Sequence, residues 1–197
     1  MQRPLSFVAA LTLAFLLVPA ALAARVSVRV EGKTQSLYGA LETRFDAGKN
    51  PLAALDTASL RGEFYYHVTQ SSFGQYVDQV GRYPADGSNG WVFKVNGASP
   101  PVGADKVELE DGDRVLWYWA TFGPSGGPST LLLTRSARNC YRVVAENDAG
   151  ADRVAAGAVL NIDGRRVRTR AGRACVGRHR GLVRATMRGA VRSNALR

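Results

Sequence analysis

Residues 90–122, GWVFKVNGASPPVGADKVELEDGDRVLWYWATF, read as two aromatic strands joined through tight turns. Trp91, Phe93 and Val95 alternate along the first strand, and Val115, Trp117 and Trp119 along the last. A period of two places each set on one face of a sheet. Asn96-Gly97 and Asp111-Gly112-Asp113 supply residues that accept the positive φ of tight turns. A loop and a further short strand are expected between the two turns.

The pattern extends upstream. Arg25 to Glu31 (RVSVRVE) places Val26, Val28 and Val30 on one face and Arg25, Ser27 and Arg29 on the other, as a half-buried strand does. Ser36 can cap a short helix in which Leu37, Ala40, Leu41 and Phe45 share a side. Gly39 weakens that helix by about 1 kcal/mol relative to alanine. Phe64–Val68 and Gln75–Val80 have strand composition. Strand, helix, then several strands is the order of an α+β fold with one helix on a mixed sheet.

The first residues have a different purpose. Arg3, the apolar run Leu5–Val18 and Ala21-Leu22-Ala23 have the layout of a secretory signal peptide over residues 1–23. The apolar run is short for a membrane span, and no second one follows, so an exported or envelope-associated protein is expected.

About 174 residues then remain, enough for two small domains. Charge divides them. Residues 25–122 hold ten basic and twelve acidic side chains, a net of −2, whereas residues 123–197 hold fifteen arginines and four acids, a net of +11; Arg3 completes the total of +10. The break falls in residues 123–130, a Gly/Pro/Ser-rich linker. Beyond it, Leu131–Thr134, Tyr141–Glu146, Ala158–Ile162, Arg166–Thr169, Ala174–Val176 and Leu182–Thr186 are short strand candidates, with Asp163-Gly164 as a hairpin turn. That spacing predicts a small antiparallel sandwich over 131–197. Cys140 and Cys175 are the two cysteines, and in an exported protein an even pair reads as a disulfide. Closing a loop of about 36 residues should stabilise the domain by about 4 kcal/mol on the chain-entropy model.

The run Trp91–Gly103 with Asp111–Trp119 resembles the C-terminal, cobalamin-facing β-domain of transcobalamin and intrinsic factor and the uncharacterised bacterial domains related to it. The resemblance covers residues 25–122 and implies a β-grasp-like fold. It also implies a ligand face made of Trp91, Val95, Asn96, Gly97, Ala98, Ser99, Pro100, Pro101 and Val102, with a corrinoid as the ligand. Flat ligands, glycans included, suit an aromatic face, a glycine that admits close backbone approach and a rigid Pro-Pro edge. The tryptophans and the turn also suit a plain core and hairpin. The animal proteins enclose cobalamin with a large helical domain that has no counterpart here, so a lone β face should hold a corrinoid weakly or with a partner. Downstream, GAVLNIDGRRVRTRAGRACV resembles bacterial Ig-like and carboxypeptidase-regulatory-like domains, with Arg170 where those often carry Asp.

No catalytic constellation assembles. His67 and His179 are the two histidines, and no nucleophile elbow, zinc-protease helix, phosphate-binding loop or dinucleotide fingerprint is present. Glu108, Glu110, Asp111 and Asp113 crowd one turn without EF-hand spacing. Eleven arginines and no acid lie in residues 165–197, a field that attracts anionic wall polymer, while the scarcity of aromatics there argues against base stacking. Two function classes remain: a non-enzymatic ligand-binding module, and an envelope-interaction protein whose arginine-rich half holds anionic polymer.

Overall fold

A computed structural model of the chain describes residues 23–71, 74–124 and 126–197. The expected signal peptide lies almost wholly outside these residues. The elements in chain order are β1 (Ala23–Glu31), β2 (Ser36–Tyr38), β3 (Arg44–Gly48), α1 (Pro51–Gly62), β4 (Tyr66–Ser71), β5 (Gly74–Val80), β6 (Tyr83–Pro84), β7 (Asn89–Val95) and β8 (Arg114–Thr121). There follow β9 (Ser129–Ala137), β10 (Cys140–Glu146), β11 (Asp152–Val154), β12 (Val159–Ile162), β13 (Arg165–Arg168), β14 (Arg173–Cys175), β15 (Val183–Thr186), β16 (Ala190–Val191) and β17 (Ala195–Leu196). The described residues are mostly β with one short helix.

In the N-terminal half the main sheet runs β2-β1-β8-β7, with β3 also on β1. β1 and β8 are parallel, and β7 and β8 antiparallel with Trp91 opposite Trp119 and Phe93 opposite Trp117. The period-two apolar sets converge on one core: Val26, Val28, Val30, Trp91, Val115 and Trp117 are buried there with Leu55 and Ala58 of α1. The β4-β5-β6 sheet adds Val77 and Val80 to that core.

Two local expectations are corrected. The segment from Ser36 to Phe45 is not a helix but β2, a reversal and the start of β3. Gly39 has φ +65°, and a side chain there would overlap the Val28 carbonyl, so the chain turns beneath β1 instead of coiling. The helix begins one strand later. Asn50 Oδ1 accepts the Ala53 N–H at 2.8 Å, and Pro51, which lacks an N–H, occupies the first helical position. The short strand expected between the Asn96 and Asp111 turns does not form. There, Ala104 O accepts from Leu52 N, and Leu109 N donates to Lys49 O, so the segment is tied to the start of α1 rather than to a sheet.

In the C-terminal half every expected strand is present. β11-β10-β9-β16, with β14 on β10, form one sheet, and β13-β12-β15-β17 form another. Leu131, Leu133, Tyr141 and Val143 from the first meet Leu160, Ile162, Val183 and Ala185 from the second in one core. Cys140 and Cys175 are cross-strand partners joined by a disulfide.

The polar face of β1 is also covered, which its alternation did not reveal. Ser27, Arg29 and Glu31 are at most 2% exposed. Glu31 receives Arg184, whose guanidinium also reaches Ser36 Oγ, and Arg192, which lies 3.1 Å from Oε2. Burial lowers the Arg184 pKa, and the Glu31 carboxylate opposes that shift. Lys94 on β7 has no exposed surface and donates to Thr130 Oγ1, Glu146 O and Asn147 O at 3.3, 3.1 and 2.8 Å. Leu116, Tyr118 and Ala120, on the outer face of β8, meet Val191. The main sheet is thus a middle layer, with α1 on one side and the C-terminal half on the other.

Candidate functional site

β7 ends the main sheet, so among the described residues one of its edges has no strand partner. Beside that edge lies an open cleft of about 840 Å³, within the range of small-molecule sites. Trp91, Phe93 and Trp117 contribute to its lining, Tyr76 and Val77 come from β5, and residues 99–104 form the facing wall. Its lining is largely apolar. Tyr76, Val102 and Phe122 remain 37%, 49% and 43% exposed, three large apolar side chains that all line the cleft.

The floor is rigid. Trp91 is 1% exposed, and its indole Nε1 donates to Tyr83 O at 2.8 Å. Trp117 Nε1 donates to Pro51 O at 3.1 Å, and the Trp91 and Trp119 rings meet edge to face. These rings are core members first. At 1% exposure, Trp91 offers the cleft almost no open surface. The backbone N–H of Trp91 donates to the Tyr76 hydroxyl, while burial, the larger effect, holds that phenol above its ordinary pKa. This contact fixes the β5 wall to β7.

The residues singled out in the sequence divide between two places. Trp91, Ser99, Pro100, Pro101 and Val102 line the cleft. Val95 packs in the N-terminal core, Asn96 is exposed and bonds Asp113 and Arg114 of the same half, and Gly97 and Ala98 lie in the seam between the halves. Asn96 and Gly97, with φ 51° and 91°, form the expected turn, and Asn96 Oδ1 accepts the Arg114 N–H at 3.0 Å. Glu146 closes over Gly97 where a side chain would stand, and Ala98 abuts Gly150. Tyr76, Phe93, Phe122 and Asp148 were missed. Tyr76 lies on an expected strand, but nothing local shows that β5 faces β7; Asp148 comes from the other half.

The remaining candidates sit elsewhere. His67 Nδ1 lies 2.7 Å from Asp78 Oδ1 on the exposed β4–β5 hairpin, and His179 Nε2 lies 2.7 Å from the Tyr141 hydroxyl. Asp111 Oδ1 accepts the Arg25 N–H, and Asp113 accepts from Glu110 N and Asn96 Nδ2, so this acidic turn is occupied by its own backbone and neighbours. Among the described residues no group of three or more His, Cys, Asp or Glu side chains converges as a metal site would require. No helix among them is long and apolar enough to cross a membrane.

Residues 60–121, from the end of α1 through β8, match the model of a domain of unknown function, DUF4430. That interval contains most of the cleft. No curated protein matches the chain. Among solved structures, a proposed metal-binding protein from Ruminococcus gnavus is similar at 19% identity and a TM-score of 0.38, over 49% of this chain and 95% of that one.

Proposed function

We propose that the protein is an exported, non-enzymatic binding module whose cleft beside β7 holds a small ligand with a flat, largely apolar face. The observation that carries this reading is the grouping of exposed Tyr76, Val102 and Phe122 around a pocket with a rigid aromatic floor. Exposed apolar side chains scattered singly need no explanation, but a cluster rimming a concavity does. A corrinoid is the first candidate, from the resemblance of residues 90–122 to the β-domain of transcobalamin and intrinsic factor. The parallel β1–β8 pairing beside a single helix supports the β-grasp-like architecture that goes with it. A cleft open on one side covers one face of such a ligand, so tight binding would need a partner over the other. The paired cysteines suit an oxidising compartment.

The test is titration of the intact protein with cobalamin and cobinamide, followed by absorbance and calorimetry. Phe122→Ser and Val102→Ser change exposed side chains and should leave thermal melts nearly unchanged while weakening binding about tenfold, or about 1.4 kcal/mol. Trp91→Ala is uninformative because it removes a core ring. Absence of any heat or spectral change at about 1 mM ligand, where −4 kcal/mol would register, discards the corrinoid. Equal binding by wild type and both rim variants would move the ligand out of this cleft.

A further inference from the structure

The C-terminal half has a second feature, independent of the cleft. Register places Arg173 of β14 directly opposite Arg142 of β10, and Arg142 opposite Thr134 of β9. Arg170 pairs with Arg173 across a tight turn, each donating its N–H to the other's carbonyl at 2.9 Å. Directly opposed residues of neighbouring strands project to the same face about 5 Å apart. Arg170, Arg173 and Arg142 therefore form one row with Thr134 at its end, and all four are exposed.

Three positive side chains at neighbouring register positions repel one another. Among the described residues no carboxylate lies within ion-pair distance of any of the three. The fold nevertheless holds them in register. The Cys140–Cys175 bridge ties the same two strands two residues along on the same face. The turn between Arg170 and Arg173 uses Ala171 at φ 46° and Gly172 at φ 70°, a conformation alanine seldom adopts. Val143 N donates to Gly172 O at 2.7 Å, and a Cβ on Gly172 would come within 2.6 Å of Val143 O. A disulfide, a strained turn and a close backbone approach converge on a like-charged row.

We propose that the Arg170–Arg173–Arg142 row is a docking surface for a linear polymer carrying repeated phosphate groups. Guanidinium forks match phosphate oxygens in bidentate fashion, and a row of forks at even spacing follows a chain rather than a single ion. Thr134 adds a hydroxyl donor at one end. The aromatic residue nearest in the strands, Tyr141, is fully buried on the opposite face, so the row offers phosphate recognition without a stacking platform for bases.

Long-chain inorganic polyphosphate is the probe, bound to the intact protein across a salt series. Arg142→Gln/Arg173→Gln is compared with Arg165→Gln/Arg166→Gln, which removes the same charge from exposed positions of β13. The row variant should bind about tenfold more weakly, and its slope of log affinity against log salt should fall by roughly 1.4 for two lost contacts. The β13 variant should keep most of that slope. Thermal melts should show the row variant at least as stable as wild type, because its substitutions relieve repulsion. Equal losses in both variants would overturn the proposal in favour of a diffuse basic field. So would no binding by wild type at low salt. Single-stranded DNA binding far more tightly than polyphosphate would assign the surface to nucleic acid instead.

Discussion

The C-terminal half uses arginine in two opposite ways. Arg184 and Arg192 reach across the seam to Glu31, a carboxylate with no exposed surface, and are themselves mostly covered. Arg170, Arg173 and Arg142 stand in water beside one another with no carboxylate partner among the described residues. The first set neutralises a buried charge and joins the two halves. The second concentrates positive charge that the fold must restrain. Composition alone treats these residues as one basic field; burial and register separate cement from surface.

The largest effect should come from the restraint on the exposed row. Replacing Cys140 and Cys175 with Ser should lower stability by about 4 kcal/mol, measured by urea unfolding. The loss should grow at low salt, where the arginines of β10 and β14 repel most. Salt-independent destabilisation would mean that the bridge and the row are unrelated. Next is the buried set. Glu31→Gln leaves Arg184 and Arg192 without a counter-charge and should cost about 3 kcal/mol. The loss should be accompanied by faster hydrogen exchange along β1 and β15. A loss under about 1 kcal/mol, the range of exposed pairs, would show that the seam does not depend on this carboxylate.

Arg173→Gln should act in the other direction, raising stability by up to about 1 kcal/mol at low ionic strength as a like-charged cross-strand pair disappears. At about 1 M salt, where the Debye length is near 3 Å, the gain should vanish. A destabilised Arg173→Gln would mean that the side chain makes a favourable contact in the fold. The smallest effect lies outside both arginine regions and serves as their control. Burial, then the hydrogen bond to Asp56, raises the Tyr66 phenol from its ordinary value of 10.0 to about 12. The folded state holds that proton more tightly, so its contribution is complete below pH 10 and is lost as pH rises through about 12. Melting temperatures followed across that interval should fall less steeply in Tyr66→Phe, whereas the arginine variants, which keep Tyr66, should fall as steeply as wild type.

Much of the strand layout was legible because its signals are local. Val26, Val28 and Val30 declare one face of β1, and Asp163-Gly164 joins β12 and β13 where a hairpin was expected. The helix was misplaced because Leu37, Ala40, Leu41 and Phe45 happen to share helical spacing, while Gly39 serves a turn under Val28. The better signal was Asn50-Pro51, a cap followed by a residue suited to the first helical turn. The second covered face of β1 was illegible for a different reason. Arg29 and Glu31 look like solvent residues until Arg184 and Arg192 are brought to them, and no local pattern records a contact across that separation. The cleft was half legible: Ser99–Val102 could be named from the chain, whereas Tyr76 and Phe122 join them only through the packing of β5 and the path out of β8.

The covered face of β1 also bears on the order in which the chain can finish folding. β1 precedes its parallel neighbour β8 by most of the N-terminal half, and Arg192 reaches Glu31 across a separation of 161 residues. Contacts of such range form late, after the cost of closing long loops has been met. A polypeptide emerging from its N-terminus would carry β1 with one edge unpaired, open to other chains, until β8 arrives, and with its polar face uncovered until the last segments do. Truncation before Arg184 would leave the rest of the main sheet able to assemble around a carboxylate whose partners never come. The final strands thus act as a clasp on the first.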